Sequence, residues 1–294
     1  MSNEGISKPY EMKQVHFSKF DSPLWKYRKN ATSQGGEDGI IAEIISILQK
    51  NSFVSVDETK GMEQLFCVEF GAADGIYCSN TYNLLHKNGW SGLLIEGDKE
   101  PFQECKERFS ENPNVKCLNS FVSYEGEFKL DRIFLENNVP KNFELISIDV
   151  DGMDYFIWEA LEEYHPKIVI VEFNPSVPND IIFIQEKNPE VHQGSSLLAF
   201  IGLGKRKGYE LVCATGANAI FVRKEMYGCF NIESNHIMHL YRPKIDGRIW
   251  QGFDNTIFST MNRMIWGGNF PISSEDLQVV PKSMRENGVL HRAK

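Results

Sequence analysis

Phe66-Cys67-Val68-Glu69-Phe70-Gly71-Ala72-Ala73-Asp74-Gly75 is the stretch that decides how this chain folds. Apolar residues from Leu65 to Phe70 suit a strand buried on both faces, and the run then breaks into an acidic, glycine-spaced loop. Gly71 and Gly75 permit a tight turn and a close approach of a ligand to the backbone. Such a loop belongs at the carboxyl end of a parallel strand, where open α/β sheets bind their ligands. It reads as a nucleoside pocket formed by Glu69, Gly71, Ala72, Asp74 and Gly75. A dinucleotide fingerprint would be G-x-G-x-x-G, whereas the spacing here is Gly71-x-x-x-Gly75 with Glu69 in front. A carboxylate at that position would repel a pyrophosphate and suits the ammonium and sulfonium charges of S-adenosylmethionine.

Strand and helix signals alternate beyond this stretch. Helical spacing marks 79–88, 100–110, 127–137, 153–163 and 195–207; strand patterns mark 92–96, 115–118, 144–149, 168–173, 209–213 and 218–222. The rhythm implies right-handed β-α-β units and a mostly parallel sheet with helices on both faces. Only Ala214-Thr215-Gly216-Ala217 separates the last two strands, too short for a crossover helix, so they form an antiparallel hairpin at the sheet edge. A seven-stranded α/β sheet ending in such a hairpin looks like the class I methyltransferase, Rossmann-like fold. Upstream, Ile40, Ile41, Ile44, Ile45 and Leu48 predict an amphipathic helix over 39–50 with Asp38 as its cap. The expected organisation is an arm or lid over 1–32, a core domain over 33–225, and an irregular extension over 226–294 packed on the core.

With 294 residues and 41% hydrophobic content the chain buries a substantial core. A net charge of −9 argues against a nucleic-acid partner, since that affinity comes from Lys and Arg neutralising phosphates. No apolar run approaches the ~20 residues of a membrane span, and residues 1–14 are polar, so a cytoplasmic protein is expected. Six cysteines without a C-x-x-C pair read as free thiols.

The second strand ends in Glu96, about the ~20 residues past the glycine loop where an acid accepts hydrogen bonds from ribose hydroxyls; the alternative is that it caps a helix near Lys99. Ser79, Asn80 and Thr81 could seat a methionine carboxylate on free backbone N–H groups or simply cap a helix. Asn119, ending the third strand, joins the cofactor set. The fourth strand runs into Asp149-Val150-Asp151-Gly152-Met153-Asp154 and the fifth into Glu172-Phe173-Asn174. Adjacent parallel strands bring their ends to one rim, so Asp149, Asp151, Glu172 and Asn174 could hold Mg²⁺ or another hard divalent cation. The alternative is metal-free chemistry with one carboxylate, Asp149 first, as general base. His192, in a loop from 175 to 194, could also serve as base or stand solvated.

Several of these stretches together resemble the FkbM-like family of S-adenosylmethionine-dependent methyltransferases. Ser33-Gln34-Gly35-Gly36-Glu37-Asp38-Gly39-Ile40-Ile41 resembles its upstream element, and 68–75 with Ser79-Asn80-Thr81 its cofactor loop. Gly89-Trp90-Ser91-Gly92-Leu93-Leu94-Ile95-Glu96-Gly97-Asp98 is similar to its second strand. The likeness continues through Ile148–Tyr155, Val171–Pro175 and Gly194–Ala199 with Gly208-Tyr209. The resemblance covers about 33–223. It implies methyl transfer to oxygen on sugars or other metabolite hydroxyls. Glu69, Gly71, Gly75 and Glu96 would hold the cofactor, with Asp149, Asp151 and Asp154 around the reaction centre.

The reading is therefore an O-methyltransferase with a small hydroxylated acceptor, a sugar or sugar-containing metabolite, in carbohydrate biosynthesis. A nicotinamide-dependent oxidoreductase and a non-catalytic binding protein are the alternatives. Trp250 and Trp266 could stack on sugar rings, pack the extension, or form a homo-oligomer interface.

Overall fold

Continuous apolar runs make central parallel strands because both faces are covered by helices. The computed structural model describes residues 22–54, 65–241, 249–253, 255–259 and 274–281. Its main sheet contains β1 (Phe66–Phe70), β2 (Ser91–Glu96), β3 (Val115–Asn119), β4 (Leu145–Ile148), β5 (Ile168–Glu172), β6 (Tyr209–Ala214) and β7 (Asn218–Arg223). The strand order is β3-β2-β1-β4-β5-β7-β6, with β7 antiparallel to both its neighbours and the other pairings parallel. This is the class I methyltransferase order, and the expected hairpin is present at the edge.

Alternation within the strands sorts side chains into two apolar layers. Val68, Phe70, Ile146, Ile148, Val169 and Val171 enter one layer with α4 (Leu130–Glu136), α5 (Asp154–Ala160) and α6 (Leu197–Arg206). Cys67, Leu94, Leu145, Ile168 and Ile170 enter the other with α1 (Glu37–Lys50), α2 (Tyr82–Lys87) and α3 (Lys99–Arg108). Chain order reverses at the β1/β4 boundary, the switch point at which such sheets open a crevice.

The segment before α1 is part of this packing. Leu24 is buried in the second layer, the Ser22 hydroxyl donates to the Val212 carbonyl (2.6 Å), and the Trp25 indole N–H donates to Ala214 O (3.1 Å). These bonds cover the outer edge of β6 beside a bulge at 211–213. Of the arm or lid expected over 1–32, residues 22–25 thus pack on the core, and 1–21 lie outside the described residues. Asp38 does not cap α1. The helix begins at Glu37, two residues before the expected start, and the Asp38 carboxylate accepts instead from the N–H groups of Ala31, Thr32 and Ser33 (2.8–3.0 Å), securing the preceding loop.

Past β7, Met226 and Phe230 enter the second layer, and Ile237, Leu240 and Tyr241 of α7 (Ile237–Leu240) and its end enter the first, so core packing continues to Tyr241. A small hairpin follows, β8 (Ile249–Gln251) with β9 (Ile257–Ser259). Trp250 lies in β8, and Trp266 lies outside the described residues. Among the described residues no helix is long and apolar enough to cross a membrane.

Candidate active site

The glycine loop crosses the switch point with no space to spare. Gly71 has φ +69°, and a Cβ there would lie 1.7 Å from the Asp149 carbonyl oxygen. Its conformational freedom therefore serves the close approach of the chain leaving β1 to the chain leaving β4. Gly75, at φ +80°, packs its Cα face on Cys105 and Phe109 of the α3 region.

The carboxylates on this half are occupied by donors. Glu69 is buried, with Oε2 accepting from the Ser79 and Thr81 hydroxyls (2.6 Å each) and Oε1 from the Asn80 N–H (2.8 Å). Burial still pushes its pKa up, against these bonds. Ser79, Asn80 and Thr81 are consequently buried around Glu69 and do not present hydroxyls at the crevice, as a carboxylate seat would require. The N–H groups of Thr81 and Tyr82 are taken by the Ser79 hydroxyl. The amide of Asn80 donates to the Ser147 hydroxyl (3.0 Å), and its Oδ1 is buried without a donor. Asp74 accepts from the N–H groups of Ile76 and Tyr77 and pairs with Arg108 (2.9 Å); although its partial burial opposes ionisation, these partners hold its pKa below the ordinary value.

Glu96, half-buried at the end of β2, accepts the Ala73 N–H at Oε2 (2.7 Å) and the Asp98 N–H at Oε1 (2.8 Å). Each oxygen keeps lone-pair capacity for a further donor. Asn119 donates to the carbonyls of Glu96 and Gly97 (2.8 and 2.9 Å), tying the ends of β2 and β3 together. Glu96 therefore stands directly against the glycine loop, oriented by backbone donors and still able to accept a diol.

The other half of the rim is built differently. Asp149, Asp151 and Glu172 place one carboxylate oxygen each within 4.8 Å of the others. Among the described residues no N–H group donates to Asp149 or Glu172, and the two carboxyls converge at the ends of β4 and β5. Burial first, then the neighbouring negative charges, push Asp149 up to about 7 and Glu172 up to about 9. Asp151, at φ +55°, is exposed.

Two predicted members of this rim turn away from it. Asp154 is buried and accepts the N–H groups of Val150 and Gly152 (2.8 and 2.9 Å), pinning the acidic loop from below, with burial raising it to about 6. Asn174 donates to Gln193 O (2.6 Å) and its Oδ1 accepts from the Ser176 N–H and hydroxyl, so it organises the 174–194 loop. His192 is exposed, with Nδ1 3.1 Å from the Asp151 carbonyl oxygen, and touches the acidic loop through backbone alone.

A cavity of about 470 Å³ opens over Asp149 and Glu172. Its remaining walls come from Trp25, residues 28–30 and 34–37, Cys78, Pro175, the β6–β7 turn at 215–218, and Tyr241. Sequence reading gave no role to Glu37, Arg28 or Gln185. Glu37 is buried and accepts from the Gly35 N–H (2.6 Å), the Thr215 hydroxyl and the Asn218 amide (3.1 Å), joining the start of α1 to the β6–β7 turn. Gln185 is buried beneath the 174–194 loop, donating to Val191 O and accepting from the N–H groups of Gln193 and Gly194. The Gly-Gly-Glu run was the visible signal for Glu37; nothing marked Gln185.

No family model matches the chain, and no curated protein matches it. Among solved structures it is similar to the N-terminal domain of EvdMO1 with S-adenosylhomocysteine bound, at 13% identity and TM-score 0.37, over 54% of this chain and 73% of that one. It is similar to the CMeT domain of the citrinin polyketide synthase at 12% identity and TM-score 0.42, over 65% and 54%. A third similar structure is the O-methyltransferase NcsB1 from neocarzinostatin biosynthesis, solved with S-adenosylhomocysteine and 1,4-dihydroxy-2-naphthoic acid, at 12% identity and TM-score 0.35, over 54% and 48%. The chain spans about half the length of the latter two. The fold assignment stands on the sheet order itself.

Proposed function

We propose that this chain is an S-adenosylmethionine-dependent O-methyltransferase of the FkbM-like kind, acting on a hydroxyl of a small molecule, a sugar or sugar-containing metabolite. The observation that carries the reading is the convergence of Asp149 and Glu172, with Asp151 beside them, at the floor of a cavity, on the two strands that follow a glycine loop and a ribose-type acid in the class I order. The cofactor would lie across the ends of β1 and β2, with its ribose hydroxyls on Glu96. The acceptor would occupy the cavity over β4 and β5. Its hydroxyl proton passes to Asp149 as the oxygen attacks the methyl carbon in line; the carbon–sulfur bond breaks and S-adenosylhomocysteine leaves. A base with pKa raised toward neutrality suits this transfer better than an ordinary carboxylate.

The three converging carboxylates support a second reading, in which Asp149, Asp151 and Glu172 hold a hard divalent cation that lowers the pKa of the acceptor hydroxyl. Asn174, committed to its own loop, would not join that set. Activity that survives exhaustive EDTA and is not raised by Mg²⁺, Mn²⁺ or Ca²⁺ would reject the cation and leave direct base catalysis.

The nicotinamide reading is disfavoured by the missing G-x-G-x-x-G. Thermal-shift titration separates the two: S-adenosylmethionine and S-adenosylhomocysteine should raise Tm saturably and NAD should not. The reverse pattern would overturn the proposal.

A further inference from the structure

The cavity over Asp149 and Glu172 carries opposite charge at its two ends. Asp149, Glu172 and Glu37 form its inner part, while Arg28 and Lys29, both exposed, stand at its mouth. Among the described residues neither cation makes an ion pair, although the chain has a net charge of −9.

Their placement is built. The Arg28 guanidinium stacks on the Trp25 ring, 4.4 Å from its centroid, and Trp25 is itself bonded to β6. The Lys29 N–H donates to Gly36 O (3.3 Å), and the Gly39 N–H donates to Lys29 O (3.0 Å). A Cβ on Gly36 would lie 2.6 Å from Arg28 Cβ, and one on Gly39 would lie 2.0 Å from Tyr27 O. The two glycines therefore admit the 27–29 backbone against the start of α1, and this is a physical reason for the spacing Gly35-Gly36-Glu37-Asp38-Gly39.

We infer that the methyl acceptor is anionic: it carries a carboxylate or phosphate held by Arg28 and Lys29 at the cavity mouth, while a hydroxyl reaches Asp149 and Glu172. The inference rests on the methyl-transfer reading and narrows its substrate class. A guanidinium stacked on an aromatic ring keeps its N–H fork free for such an oxyanion.

The test is labelled methyl transfer from S-adenosylmethionine to matched acceptors: glucose, glucuronate and a glucose phosphate; catechol and protocatechuate. An anionic member should be labelled in preference to its neutral partner, the glucuronate and phosphate arms telling which oxyanion is used. An Arg28→Gln, Lys29→Gln double variant should raise KM for that acceptor at least ~10-fold, with little change in kcat and unchanged S-adenosylhomocysteine affinity. Equal labelling of neutral and anionic partners, labelling of neutral members alone, or a preference that survives in the variant would overturn the inference. S-adenosylhomocysteine binding with no labelling of any member would overturn the small-hydroxyl reading beneath it. Failure to bind S-adenosylhomocysteine would overturn the cofactor reading itself.

Discussion

The two halves of the sheet's carboxyl edge use the same side-chain chemistry in opposite ways. On the β1–β2 half, Glu69, Asp74 and Glu96 each accept at least two N–H or O–H donors from the chain. On the β4–β5 half, Asp149 and Glu172 accept no N–H or O–H donor among the described residues, and burial and neighbouring negative charge push both above the ordinary carboxylate range. A carboxylate surrounded by donors shapes a loop; two buried side by side without donors oppose each other's charge. The first arrangement preorganises a surface. The second stores a charge conflict, the state from which a proton acceptor near neutral pH is made.

The largest expected effect would break both halves together. Gly71→Ala places a Cβ on the Asp149 carbonyl and forces a left-handed backbone on a non-glycine residue. Destabilisation of about 3 kcal/mol or more is expected in urea unfolding. A loss below about 1 kcal/mol would mean that the crossing is looser than described.

Asp149→Asn sharpens the contrast. Turnover should fall at least ~10²-fold, as for a lost general base. Stability should move the other way. An acid with a raised native pKa keeps a proton that the unfolded chain has released, so native stability falls as pH climbs from the ordinary carboxylate range to about 9. Removing one charge of the pair should therefore raise Tm at about pH 8, with the gap narrowing toward about pH 4. A variant less stable than wild type at the higher pH would contradict the stored conflict. Wild-type activity should correspondingly rise with pH through about 7, read as a macroscopic value of the pair.

The smallest effect is expected at His192, which meets the rim through the Asp151 carbonyl and is exposed. His192→Ala should change kcat by less than ~3-fold, since surface substitutions away from special features move little. A loss like that of Asp149→Asn would restore histidine as the base.

How much of this was legible depended on whether a residue's role was local. Apolar runs and the four-residue gap at 214–217 carried the sheet and its terminal hairpin, because burial and crossover length are written in neighbouring residues. Asp149 and Glu172 were legible as strand ends converging on one rim. Ser79, Asn80 and Thr81 read naturally as a ligand seat, but a buried Glu69 ten or more residues away takes their donors. Asp38 looked like a cap because polarity before an apolar run marks a helix start, yet the helix starts at Glu37 after Gly36 and Asp38 serves the loop behind it. Glu37 sits in a visible Gly-Gly-Glu run, but its tie to the β6–β7 turn is remote in sequence, and Arg28 and Gln185 lie in no recognisable spacing.

Calorimetry of S-adenosylhomocysteine with wild type, Glu96→Ala and Asp149→Asn tests the division of the rim most directly, and it needs no acceptor. Wild type should bind saturably. Glu96→Ala should lose about 1.5–3 kcal/mol of binding, the worth of hydrogen bonds to a charged group, and Asp149→Asn should bind nearly as wild type does. Absence of binding to wild type, or equal weakening by both substitutions, would contradict the account.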